Sequence, residues 1–226
     1  MKRWLKWLIG GLVLLAVLLV GGPFVYIHFI EGPAPKPLTL PSSHHAPDTP
    51  ASFPTGSWKA TSASVVGYRV NEVLFGQNNV AVGRTHSVTG AIALKGANVS
   101  TAAFTVQMAT VHSDQSQRDN QFDGRIMDVS RYPTATFRLT SPITLGFGTK
   151  AGITVQATAT GDLTMHGQTH AVTFPVSARY TASAIDITGS IPITFATWGI
   201  SNPGFGGQIT VDDHGLLEFL LVLHAS

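Results

Sequence analysis

From Trp58 to the end of the chain, apolar and polar side chains alternate with a period of two residues. The runs are short, rich in Val, Ile, Thr and Phe, and separated by Gly, Asn and Asp. Successive side chains of a β-strand point to opposite faces, so each run predicts a strand with one apolar and one polar face. The pattern therefore predicts an all-β, antiparallel domain over residues 58–226.

The alternation is clearest over residues 153–180. Gly167-Gln168 lies between two alternating runs and is typical of a two-residue hairpin turn. Such a turn pairs Leu163 with Val172 and places the apolar residues of both strands on one face. That face is predicted to carry Ile153, Val155, Leu163, Met165, Val172, Phe174, Val176 and Tyr180.

About eight such strands follow one another, and the apolar face of each must be covered. Either two sheets pack face to face, or one sheet closes into a barrel. The interior of an eight-stranded barrel is wide enough for side chains or for one small ligand. A barrel of this size would bind a ligand only if its interior were partly empty.

One segment departs from the two-residue period. Phe122, Ile126 and Val129 fall at positions i, i+4 and i+7, which is the spacing of one helix face. The Ser-Asp pair at 113–114 can cap such a helix, and Tyr132-Pro133 ends it. We predict one short amphipathic helix that covers an open end of the sheet.

The N-terminal residues 1–31 have a different character. The 24 residues from Trp7 to Ile30 contain no Lys, Arg, Asp or Glu, and Lys2, Arg3 and Lys6 precede them. This pattern predicts a single-pass transmembrane anchor with a cytoplasmic N-terminus, in which case the barrel is extracytoplasmic. The alternative is a cleaved signal peptide, although no clear small-residue cleavage site follows the apolar stretch.

Residues 32–57 are rich in proline and almost without charge, which predicts an extended linker between the anchor and the barrel domain. The chain carries 14 Lys and Arg against 12 Asp and Glu. Without the three cationic residues that precede the apolar stretch, 11 basic residues face 12 acidic ones. The charge therefore gives no support to a nucleic-acid partner.

Three motifs follow one another along the chain: Arg118-Asp119 with Met127-Asp128 and residues 132–137, then residues 161–169, then residues 195–200. Together they resemble the YceI-like family, and the resemblance covers about Trp58 to His224. The family is associated with a lipocalin-like antiparallel β-barrel that binds polyisoprenoids and similar long apolar lipids. The resemblance implies an eight-stranded lipocalin-like barrel with one short helix, and a role in transport, storage or shielding of such a lipid. The chain departs from the common form at residues 61–64 and in its predicted anchor.

The inward residues of the predicted strands and helix are the candidate ligand-binding residues. Arg118 and Arg125 are candidates for binding a lipid head group, because a guanidinium suits phosphate; ion pairs within the helix are the alternative. A second alternative is a filled core in a module that acts through its surface, with Leu220 and Val222 as a homodimer contact. The candidate lining residues are Tyr68, Val70, Phe104, Val106, Met108, Phe122, Ile126, Phe137, Leu163, Met165, Phe174, Val176, Ile193 and Phe195.

No catalytic or cofactor motif accompanies the strands. The chain has no cysteine, no G-x-S-x-G and no phosphate-binding glycine loop that opens a helix. His166 and His170 fall on opposite faces of the predicted hairpin, and neither His112 with Asp114 nor residues 212–214 have a third convergent ligand. We therefore expect a binding protein that is not an enzyme and that needs no metal or cofactor.

Overall fold

The computed structural model describes residues 3–25, 33–41, 55–96, 98–146, 151–181, 183–207 and 209–226. Two α-helices and twelve strands form within these ranges. Every strand pairing is antiparallel. The strands are β1 (Gly56–Ala60), β2 (Val65–Leu74), β3 (Gln77–Thr85), β4 (Val88–Lys95), β5 (Asn98–Gln107), β6 (Thr134–Leu139), β7 (Ile143–Thr144), β8 (Thr154–Met165), β9 (Gln168–Tyr180), β10 (Ile185–Thr194), β11 (Ile209–Val211) and β12 (His214–Ala225).

The N-terminal segment forms helix α1, Arg3–Val25. Within the ranges given above, no helix combines the length and the apolar character that crossing a membrane requires. The helix includes the charged Arg3 and Lys6, and the Tyr26–Ile30 part of the predicted span lies outside the described residues. The predicted single-pass membrane localisation is therefore wrong.

Eight strands close into a ring in the order β1, β4, β5, β6, β8, β9, β10 and β12. Closure depends on β1, because it pairs with a strand on each of its edges. Trp58 is the Cα partner of Ile92 in β4 and of Ala225 in β12. The prediction of an eight-stranded antiparallel barrel is confirmed.

A hairpin of β2 and β3 lies beside this ring. Strand β12 is long enough to pair with β1 through its last residues and with β2 through Leu216–Leu220. The hairpin turns at Phe75-Gly76, where both residues have positive φ, as a type I′ turn requires. The barrel wall is thereby extended on one side, at the end away from β1.

The β8–β9 hairpin forms, but its turn lies one residue earlier than predicted. His166 and Gly167 have φ of 50° and 73° and make the turn, so Leu163 pairs with His170 and not with Val172. A shift of the strand pairing by two residues leaves each side chain on the same face of the sheet. Phe174, Val176 and Tyr180 are therefore buried as predicted, whereas Ile153 is exposed.

The predicted helix is shorter than its spacing suggested. Helix α2 covers Ser116–Gln121, and a π-helical turn continues over Phe122–Ile126. Val129 is buried but follows Asp128, whose φ of 43° has left the helical range. A short helix is confirmed, and its π turn carries both residues that were expected to cover the barrel.

The barrel is packed solid at the end that β1 closes. Ile185 and Leu223, which are paired across β10 and β12, are fully buried there. Trp58 and Tyr180 pack into the same cluster. This packed end stabilises the ring, and any cavity inside the barrel must lie toward the opposite end.

Candidate functional site

A cavity of about 910 Å³ lies inside the barrel, toward the end away from β1. Its wall is formed by inward side chains of the ring strands, by β2 and by the π turn. All fourteen residues that the sequence nominated as lining residues contact this cavity, from Tyr68 to Phe195. The alternative of a filled core requires a solid interior, which a cavity of this size does not provide.

The cavity opens between the β2–β3 turn, the helical segment and the loop at residues 203–207. The lining residues that are also exposed lie there, and they include Phe75, Phe205 and Arg125. Phe75 and Phe205 expose 55% and 74% of their surface, which is high for phenylalanine. Neither belongs to an alternating run, which is why the sequence pattern did not select them.

The inner wall offers apolar contact and few polar groups. Deep lining residues such as Ile92, Phe137 and Phe174 are aliphatic or aromatic, and polar side chains are concentrated near the rim. Phe137 and Phe174 meet edge to face with ring centroids 5.4 Å apart. Such a wall binds a long hydrocarbon chain without recognising a particular functional group along it.

Tyr68 places a hydroxyl group in this apolar wall. Its ring stacks on Phe122 with centroids 5.2 Å apart. Burial raises the pKa of Tyr68 well above its usual value, and the nearby Arg118 opposes that rise only in part. Tyr68 is therefore a neutral phenol at ordinary pH and a hydrogen-bonding group rather than a charged one.

The two candidate head-group residues have different surroundings. Arg118 binds Glu72 at 3.0 Å and also pairs with Asp114. Arg125 donates to Gln121 Oε1 at 2.9 Å and to the Pro203 carbonyl oxygen at 3.0 Å, and both acceptors are neutral. Arg118 is thus balanced by two carboxylates, whereas Arg125 has no ion pair among the described residues.

The histidines near the β8–β9 turn both contact Trp198. His166 Nδ1 lies 2.9 Å from the Trp198 carbonyl oxygen, and the His170 ring meets the indole edge at a centroid distance of 4.8 Å. His112 pairs with Asp119 and His214 with Asp213 at the surface. In the part of the chain that the structure describes, no three His, Asp or Glu side chains converge as a metal site would require.

The outer face of β12 carries the two residues that were candidates for a homodimer contact. Leu220 and Val222 are half-buried there and not fully exposed. The homodimer stays a prediction.

A model of the YceI-like domain matches residues 58–223, which is most of the chain. The chain belongs to the YceI-like domain family. The matched region contains the whole ring apart from a few residues at its two ends, and it contains the cavity. Helix α1 and residues 33–41 precede it.

Known relatives agree with this assignment. A UPF0312 protein of Vibrio cholerae is 26% identical over 163 residues, covering 70% of this chain and 74% of that protein. The structure of Burkholderia cenocepacia BcnA is similar with a TM-score of 0.56 and 23% identity, over 72% of this chain and 98% of that one. A polyisoprenoid binding domain from Saccharophagus degradans has a TM-score of 0.58 and 13% identity, over 76% of this chain and 100% of that one. At such identities these two structures support the YceI-like fold alone.

Proposed function

We propose that this YceI-like barrel binds a polyisoprenoid or a similar long apolar lipid in its cavity, and that it transports, stores or shields that lipid without catalysis. The observation that carries the proposal is the cavity of about 910 Å³ with its apolar wall and its opening at one end. Ligand pockets commonly have volumes of roughly 300–1,000 Å³. The Saccharophagus degradans domain with the same fold is described as polyisoprenoid binding, which favours this class of ligand.

The energetics of such binding need only apolar contact. Burial of one methylene group contributes about 0.8 kcal/mol, so ten chain carbons contribute on the order of 8 kcal/mol before the costs of association. This gross value corresponds to a Kd of about 1 μM. An isoprenoid chain bound along the wall therefore needs no catalytic or metal chemistry to be held.

The direct test is to identify what the purified protein carries. Native mass spectrometry of the full chain, followed by solvent extraction, is expected to find a long apolar lipid or the uptake of added polyprenol at one molecule per chain. A protein that carries no apolar molecule and takes up no polyprenol would contradict the proposal.

A paired substitution tests whether the cavity is the binding site. Ala102 lines the cavity on β5, and Ala103 is the next residue and faces outward. Ala102→Phe adds a ring to the cavity, so we expect it to weaken polyprenol uptake at least tenfold. Ala103→Phe adds the same ring outside the barrel and is expected to leave uptake unchanged. Equal uptake by both variants would place the lipid elsewhere.

A further inference from the structure

Residues 33–41 form an extended strap on the outside of the barrel. Four of these nine residues are prolines, and Ala34, Lys36 and Leu40 each precede a proline, which favours extended backbone. No helix or strand is assigned to this range. The strap lies before the region that the family model matches.

Barrel side chains bind the main chain of the strap. Arg69 Nη2 donates to the Pro35 carbonyl oxygen at 2.6 Å. Arg84 donates to the carbonyl oxygen of Lys36, and Arg179 donates to that of Pro41. The Thr188 hydroxyl lies 3.1 Å from the Leu38 carbonyl oxygen. Three carbonyl groups of one short segment thus accept from arginines of β2, β3 and β9, and a fourth lies beside the Thr188 hydroxyl of β10, which also lies 2.9 Å from the Phe219 carbonyl oxygen.

The length of the strap fits the wall that it crosses. The path from β2 through β12 and β10 to β9 takes three interstrand spacings, or about 14 Å. The six residue steps from Pro35 to Pro41 span about 19 Å in a polyproline II conformation and only about 9 Å in an α-helix. An extended backbone therefore covers the distance from β2 to β9. Arg84 is on β3, but its guanidinium group lies 3.5 Å from Glu218 of β12 and so lies within this path.

The wall beneath the strap contains charges that are buried on the outer face of the barrel. Glu218 is 5% exposed and Arg179 is 7% exposed. Glu218 accepts from Arg69 at 2.6 Å and lies 3.5 Å from Arg84, while Arg179 lies 3.7 Å from Asp186. Three guanidinium groups share two carboxylates, so the wall has donors in excess, and carbonyl oxygens of the strap accept from them.

A cleft of about 570 Å³ accompanies these donors. It lies between Pro37 and Leu38 of the strap and the outer faces of β8, β9, β10 and β12. Leu38 is half-buried at this cleft. Extended proline-rich peptides dock in grooves on their partners, and here donors for main-chain carbonyls lie beside such a groove.

We propose that the outer wall of β2, β12, β10 and β9 is a binding site for an extended proline-rich peptide, and that residues 33–41 are its resident ligand. Because recognition acts through main-chain carbonyls, the site binds a peptide of this type supplied in solution once the resident strap is loosened. This site is separate from the cavity, on the opposite face of the same strands.

The test uses the full chain and a labelled peptide of residues 33–41. Leu38→Asp loosens the resident strap, because it removes the half-buried leucine side chain from the cleft and a carboxylate is costly to bury in its place. Fluorescence anisotropy is expected to show at least tenfold tighter peptide binding to the Leu38→Asp chain than to the native chain, because a tethered strap competes at an effective concentration in the millimolar range. Equal binding to both chains, or no binding to the Leu38→Asp chain up to about 1 mM peptide, would overturn the proposal.

A matched pair of wall variants locates the peptide. In the Leu38→Asp background, Thr188→Val removes one donor and is expected to weaken peptide binding about two- to twelvefold. Thr173→Val is the control, since Thr173 faces outward on β9 and bonds Thr160 at 3.0 Å. Equal affinities for the two variants would overturn the assignment of the site.

Proteolysis gives a readout that does not need the added peptide. Proteinase K is expected to cleave within residues 33–41 of the Leu38→Asp chain several times faster than in the native chain, with the cleavage positions located by mass spectrometry. Cleavage of both chains at the same rate would mean that the wall does not hold the segment, and would also overturn the proposal. Lipid uptake is independent of this result, so the two functions can fail separately.

Discussion

The two arginines at the rim of the cavity differ in what already neutralises them. Arg118 pairs with Glu72 and Asp114, whereas the acceptors of Arg125 are an amide and a carbonyl group. A second anion gains little from a cation that two carboxylates already balance. Arg125 is therefore the residue that can distinguish an anionic head group from a neutral one.

We expect Arg125→Gln to weaken the binding of a polyprenyl phosphate about two- to fivefold, which is the scale of an exposed ion pair. The binding of the uncharged polyprenol should not change. Competition against a fluorescent lipid measures both affinities, and Lys59→Gln, an exposed cation on β1, is the control. A similar loss for the alcohol and the phosphate would show that Arg125 contributes through packing and not through charge.

The buried hydroxyl of Tyr68 leads us to expect that the stability of the fold decreases at alkaline pH. Its pKa is raised by burial, so above about pH 10 the unfolded chain loses a proton that the folded chain keeps. The folded state then binds more protons than the unfolded state, and stability must fall as the pH rises through this window. Urea unfolding between pH 9 and pH 11 should show a steeper loss for the native chain than for Tyr68→Phe. Equal slopes for the two proteins would contradict the burial of this hydroxyl, and Tyr132→Phe controls for the loss of a hydroxyl elsewhere.

At the scale of the secondary-structure elements, the two type I′ turns provide a matched comparison. Gly76 and Gly167 both occupy the second turn position with positive φ. A Cβ atom at Gly76 would meet nothing within 4 Å, whereas one at Gly167 would lie 2.6 Å from Tyr132 Cε1. The backbone cost of alanine is common to both turns, and the clash is added only at Gly167.

Gly76→Ala is therefore expected to lower the free energy of unfolding by about 1 kcal/mol, and Gly167→Ala by about 2–4 kcal/mol. Urea unfolding of the two variants measures the difference. Similar losses for both would mean that Tyr132 moves aside without cost.

These turns also show which parts of an element the sequence can predict. Alternation identified the faces of β8 and β9, because burial follows side-chain parity and parity survives a shift of two partners. The turn itself was misplaced by one residue, since histidine rarely adopts positive φ and His166 does so here. The helix was predicted too long because the i, i+4, i+7 spacing does not distinguish an α-helix from a helix that widens into a π turn.

The candidate site, too, could be predicted only in part from the sequence. The inward apolar residues could be nominated from the two-residue period of the strands and the spacing of the helix, and they line the cavity. The empty volume could not be predicted, because it depends on how far the strands stand apart and not on which residues face inward. Phe75 and Phe205 were missed because they lie outside the alternating runs. The attachment of the strap was missed because its contacts join residues distant in sequence; Thr188 and Leu38, for example, are 150 positions apart.

At the scale of the whole molecule, the barrel is closed by a strand of five residues. Strand β1 pairs with both β4 and β12, and its Trp58 is 6% exposed within the packed end. A short strand that completes a ring depends on its side-chain burial, because few hydrogen bonds hold it.

Trp58→Ala is expected to lower the free energy of unfolding by about 3–5 kcal/mol, measured by urea unfolding. Lys59→Ala alters the exposed neighbour and should change it by less than about 0.5 kcal/mol. Trp58→Phe should be much less harmful than alanine, because the buried indole Nε1 has no hydrogen-bond partner among the residues that the structure describes. A loss of less than about 1 kcal/mol for Trp58→Ala would mean that the ring does not depend on β1.

The attachment of residues 33–41 to the barrel also limits how far α1 can move from the barrel. Val25, the last residue of α1, and Gly56, the first of β1, are 31 positions apart, and a free connection of that length could extend to about 110 Å. With the wall holding Pro35, only ten positions separate Val25 from an attached residue, and a chain of that length spans at most about 35 Å. The end of α1 is therefore kept within about 35 Å of the point where the outer wall binds Pro35, and release of a few carbonyl contacts would lengthen this limit about threefold.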